Sequence, residues 1–153
     1  MLTVRRFRAG LFLAGSLLFA LANPASALEY RSTGHAAVLY DAPSTAAGKL
    51  TVAGSGLPFE VVVDTEAWVK VRDYTGRLAW IEKLALDGPR SVMIKAETGT
   101  VRQQPRADAP LVFRAARGVL LNVTGKPDAT GWLPVKHANG LTGWILVQEV
   151  WGQ

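Results

Sequence analysis

The chain has 153 residues, a formal charge of +5, 49% hydrophobic residues, two histidines and no cysteine. A cysteine-free chain has no disulfide, no thiolate metal site and no cysteine nucleophile, and two histidines with 12 acids leave little for catalysis. The length suits one ordinary domain or two very small ones.

The N-terminus carries Arg5, Arg6 and Arg8 with no acid, and residues 9–22 are uncharged and rich in Leu, Phe and Ala. Asn23-Pro24-Ala25-Ser26-Ala27 follows, with small residues at the cleavage positions. This three-part pattern predicts a signal peptide over residues 1–27 and a periplasmic or secreted product. Fourteen uncharged residues are short for a ~30 Å hydrocarbon core, so no stable membrane insertion is expected after cleavage. The remaining 126 residues hold fourteen cations against twelve acids, a net charge of +2. No run of Lys or Arg longer than two occurs in them, so nucleic acid is not an expected partner.

Short strands are predicted over residues 35–40, 48–53, 59–64, 67–72, 78–81 and 83–85. Asp73-Tyr74-Thr75-Gly76 reads as a hairpin turn. Asp87-Gly88-Pro89 is a joint, because proline removes a donor and restricts the residue before it. Further strands are predicted over 99–102, 111–114, 119–122, 132–136, 142–145 and 148–150, with His137-Ala138-Asn139-Gly140 as a second hairpin turn. No window longer than ten residues keeps a helical period after the signal peptide.

The two halves repeat each other. Trp68-Val69-Lys70-Val71, Gly76 and Ala79-Trp80-Ile81 stand 64 residues before Trp132-Leu133-Pro134-Val135, Gly140 and Gly143-Trp144-Ile145. Upstream, Leu39, Pro43, Gly56 and Val61 stand 62 residues before Val101, Pro105, Gly118 and Val123. The offset grows across residues 124–131, a stretch of turn formers where added residues are tolerated. The expected domains are residues 28–88 and 89–153. About five or six short strands each are too few for a sandwich of normal size, and closing them into a small barrel removes exposed edges. Strand alternation puts Val69, Val71, Ile81 and Leu84 in the first core, and Leu133, Val135, Ile145 and Val150 in the second.

The Trp, Gly, Gly/Ala-Trp-Ile arrangement of both copies, with Val101-Arg102-Gln103-Gln104-Pro105 in the second, resembles the bacterial SH3-like domain. The resemblance implies an all-β fold of tandem small SH3-like barrels. Copy one departs from the pattern with Leu39-Tyr40-Asp41-Ala42-Pro43, and has Ala79 where glycine is usual. The resemblance also implies an exported, non-catalytic binding module with peptidoglycan, its stem peptides or an envelope protein as partner. The alternative is a protein-interaction or regulatory module acting on an envelope protein or hydrolase.

Alternation places Trp68, Trp80, Trp132 and Trp144 opposite the core residues, towards solvent or a neighbour. Either they cover a barrel rim or lie between the copies, or they contact a ligand. Trp132 and Trp144 would then form a stacking site for a sugar ring or a proline-containing peptide. Tyr40 and Tyr74 are further candidates, and Arg102 is a candidate for a carboxylate. His35 and His137 lack metal-ligand spacing, no G-x-S-x-G elbow is present, and no cofactor is expected.

Overall fold

The computed structural model describes residues 28–153; the expected signal peptide, residues 1–27, lies outside the described residues. The first set of strands is β1 (Tyr30–Ser32), β2 (Ala37–Tyr40), β3 (Lys49–Ala53), β4 (Pro58–Asp64), β5 (Trp68–Arg72) and β6 (Leu78–Glu82), followed by a single-turn 3-10 helix, Lys83–Ala85. The second is β7 (Ser91–Ile94), β8 (Thr98–Arg102), β9 (Leu111–Ala116), β10 (Leu120–Val123), β11 (Trp132–Lys136) and β12 (Thr142–Leu146). A 3-10 turn, Val147–Glu149, and β13 (Val150–Trp151) complete it. The all-β class is as expected, with six strands in the first sheet and seven in the second. Among the described residues no helix is long and apolar enough to cross a membrane.

The sheets run β1-β4-β5-β6-β2-β3 and β13-β7-β10-β11-β12-β8-β9, so neither closes by hydrogen bonding, contrary to the expected barrel closure. The β2–β3 hairpin joins β6 at one paired position, Tyr40 with Trp80. The β8–β9 hairpin joins β12 the same way, Arg102 with Trp144. Each hairpin therefore leans off its sheet and leaves its outer strand, β3 or β9, without a further partner.

The duplication is visible in the backbone. Leu39 pairs with Thr51 and Val101 with Phe113, each next to a bulge. Gly56 and Gly118 both take positive φ, 77° and 87°, and each donates its N–H to a carbonyl at the end of the first strand of its copy, that of Thr33 just after β1 or of Ile94, the last residue of β7. The two long hairpins end in Gly76 and Gly140, φ 87° and 93°. No described residue other than glycine has positive φ. Asn139-Gly140 is therefore not a two-residue turn with both residues left-handed, but a longer turn closed by a left-handed glycine. Copy two's extra residues fall in the β10–β11 connection, where Asp128 Oδ1 accepts the N–H groups of Thr130 and Trp132, both at 2.9 Å.

Each copy has its own core. Val69, Val71 and Ile81 surround Phe59 in the first, and Leu133, Val135, Ile145 and Val150 surround Ile94 and Leu121 in the second. Leu84 is a correction: it is 86% exposed. Residues 83–85 and 147–149 form 3-10 turns, whose period of three breaks strand alternation. Ala85 and Leu86 are buried instead.

Two strands have no counterpart among the predicted elements, β1 and β7. Both are short and lack alternation, and all four residues of β7 are buried. They form the seam between the copies. There Ser91 N–H donates to Ser32 Oγ at 3.1 Å, and the rings of Tyr30 and Trp151 meet edge to face with centroids 5.3 Å apart. Gly152 is pressed against copy one so closely that a Cβ there would lie 2.6 Å from Pro58 Cβ.

Candidate functional site

In β5, Val69 and Val71 turn inward and Trp68, Lys70 and Arg72 outward, because successive side chains alternate. Lys70 pairs with Trp80 across the β5–β6 ladder, and Trp80 with Tyr40 across β6–β2. Trp68, Lys70, Trp80 and Tyr40 thus share one outer face. Tyr40 and Trp68 stand two strands apart, yet their rings meet edge to face at 5.4 Å and 87°, so both lean over β6. Tyr40 is itself only 8% exposed, so it backs Trp68 and offers almost no ring face of its own; the open rings on this face are those of the half-buried Trp68 and Trp80. Lys70 Nζ lies 5.9 Å from the Trp80 ring centroid, within cation–π reach.

Beside Trp68 a half-open cleft of about 370 Å³ is lined by Glu66, Ala67, Glu82, Lys83 and Leu84. The Lys83 amine is committed: Nζ donates to Asp64 Oδ1 at 2.7 Å and to Thr65 O at 3.2 Å. Asp64 also takes Arg31 Nη2 at 2.6 Å, and the bonds from Lys83 and Arg31 hold its carboxyl below the usual range. None of the ion pairs among the described residues involves Glu66 or Glu82. The cleft therefore presents an aromatic wall, an exposed leucine and two carboxylates.

Copy two places different groups on the equivalent face. Arg102 replaces Tyr40 beside Trp144, and Pro134 replaces Lys70. Arg102 Nη1 donates to Ala109 O at 2.8 Å, so the guanidinium is tied to its own hairpin. Trp144 is half-buried, while Trp132 is 6% exposed and offers almost no ring face. Tyr74 sits at the tip of the β5–β6 hairpin, 55% exposed and remote in the ladder from the Tyr40–Trp68 pair. The candidates thus split between two separate faces, with the fuller aromatic cluster in copy one.

Glu82 was open to sequence reasoning, because a hairpin turning at residues 73–76 puts it across from Trp68. Trp151 was not: it aligns with Asp87, so the repeat carries no tryptophan signal there. His35 Nδ1 lies 3.9 Å from Asp87 Oδ1 at the joint, and His137 packs on Phe113 with ring centroids 5.6 Å apart. No group of three or more His, Asp or Glu among the described residues is placed to hold a metal ion.

The solved structures of NlpC2 and NlpC1 from Trichomonas vaginalis overlay with a TM-score of 0.36 each. Their identities are 11% and 13%, over 83% and 90% of this chain. The chain spans about half the length of those structures (49% and 50%), and neither likeness is close enough to carry a function. No curated protein matches the chain. The sequence profile of the Bacterial SH3 domain matches residues 33–88 and again residues 95–152, one match on each sheet. The chain belongs to the bacterial SH3 domain family, in two tandem copies.

Proposed function

We propose that the chain is an exported, non-catalytic binding protein of the cell envelope, made of a signal peptide (residues 1–27) and two domains (28–88 and 89–153). Its ligand is peptidoglycan or its stem peptides. The observation that carries this reading is the outer face of copy one, where Trp68 and Trp80, with the buried Tyr40 packed edge to face behind Trp68, stand beside a cleft with two carboxylates. Aromatic rings stack on sugar or peptide faces at low entropy cost, and carboxylates without a cation suit the amine of a stem peptide. Trp144 supplies a smaller second face. Trp132, Tyr74 and Arg102 take lesser roles, since they are buried, remote or tied to a backbone carbonyl.

Co-sedimentation of residues 28–153 with purified sacculi tests the reading, beside an unrelated protein of similar charge. Binding that persists at high salt and falls with Trp68→Ala or Trp80→Ala supports it, because stacking is screened little by salt. No sedimentation above the control overturns it and points to an envelope protein as partner.

A further inference from the structure

A second cleft, of about 410 Å³, opens at the other end of copy one, under the free edge of β3. Its floor is core: Leu39, Phe59 and Ala79. Its walls are Leu50 and Thr51 of β3 on one side and the β5–β6 turn, with Asp73 and Arg77, on the other.

The twin domain shows what belongs in this space. Thr51 and Phe113 hold the same register position, opposite Leu39 and Val101. Asp73 and His137 hold the same turn position, each donating its N–H to the residue four further on. In copy two these two positions touch: the Phe113 ring lies on the His137 imidazole, and Val112 and Phe113 pack against the core. There an aromatic ring, half-buried, takes the position held by Thr51 in copy one. In copy one a threonine stands where the ring would be, and Leu50 is 54% exposed instead of packed. The floor differs in the same sense. A Cβ on Gly143 would meet Val101 Cγ1 at 2.5 Å, whereas Ala79 carries its Cβ and lines open space.

We propose that this cleft is a second binding site, taking one aromatic side chain from an extended segment of a partner protein, seated as Phe113 is seated in copy two. β3 is the last strand of its sheet, so its outer backbone groups stand ready to pair with such a segment while the ring enters below. The site does not involve the tryptophan face.

The test is an NMR titration of amide-labelled protein with the blocked tripeptide N-acetyl-Thr-Phe-Thr-amide, with Thr-Gly-Thr as control. The expected result is saturable shifts at Leu39, Thr51, Leu78 and Ala79 with the phenylalanine peptide only. Thr51→Phe, which sets a ring in the cleft as copy two does, abolishes them and raises Tm. Leu50→Asp, at an exposed position that tolerates charge, weakens binding at least about tenfold and serves if Thr51→Phe fails to fold. Trp68→Ala leaves the shifts unchanged. No saturable shift at these residues, equal response to both peptides, or binding retained in both Thr51→Phe and Leu50→Asp would overturn the proposal.

Discussion

The hydroxyls of Ser32 and Ser91 lie 2.8 Å apart, both buried, in the seam between the two copies. Ser91 Oγ is also 2.5 Å from Gly56 O, and Ser91 N–H points at Ser32 Oγ. Each hydroxyl has one proton. Ser91 therefore donates to the carbonyl and Ser32 donates to Ser91, which makes a closed relay of three bonds across the joint. A buried relay of this kind is stabilising only while every member is present.

Ser32→Ala removes one donor and leaves the Ser91 N–H without its acceptor. The expected loss is about 1–3 kcal/mol, the cost of an unsatisfied buried group. Urea denaturation followed by tryptophan fluorescence measures it. Because the seam couples the copies, the wild type is expected to unfold in one transition, and two resolved transitions would show that the seam is weak.

Trp68 and Trp132 align in the repeat but differ in burial, and their alanine variants are expected to separate. Trp132→Ala empties a buried site and is expected to cost about 3–5 kcal/mol. Trp68→Ala is expected to cost less stability and to weaken sacculus binding at least about tenfold, the behaviour of an interface aromatic. Paired melting and sedimentation curves check both.

Acid is expected to destabilise the fold through three carboxylates, Asp73 and Asp128 in turns and Asp64 at the end of β4. Asp73 is buried, which raises its pKa, but bonds from Thr75 and Arg77 outweigh that and bring it below 3.8. Asp128 is lowered first by the Trp132 N–H, and Asp64 by Lys83 and Arg31. A carboxyl with a lowered folded pKa contributes stability that is present above its unfolded value, here 3.8, and is lost as pH falls through the folded value. Unfolding midpoints from pH 6 to about 2 are expected to drop most steeply below about pH 4. Asp73→Asn is expected to flatten that drop.

Gly143→Ala is expected to cost about 1–3 kcal/mol by overpacking, since the new Cβ meets Val101 Cγ1 at 2.5 Å and Arg102 O at 2.7 Å. The reverse change in copy one, Ala79→Gly, removes a methyl from the floor of an open cleft and is expected to cost less. Thermal melts of the two variants compare them directly.

Much of the fold was legible in the residues. Alternation located β5, a run of three valines located β4, and the hairpin turns and the repeat placed β6, β11 and β12; seven of the eight core choices are fully buried. The eighth, Leu84, failed because a three-residue 3-10 turn has no signature that alternation can detect. β1 and β7 escaped because their burial comes from the opposite copy and from strands distant in sequence, not from any pattern of their own.

For the site, sequence alone determined which face of each strand a tryptophan occupies, because the pleat allows only two. It also determined that the halves are copies, because register and turn glycines recur at constant offsets. Only the tertiary structure decided which tryptophans keep an open ring. Trp68 and Trp132 have the same strand position, but Tyr40 leans onto the first and the longer β10–β11 connection is held at the second by Asp128. The difference between Thr51 and Phe113 is likewise visible in the letters. That one leaves a cleft and the other sets a ring in its place follows only once β3 and β9 are folded over their cores, because an empty volume is a property of packing and not of any single residue.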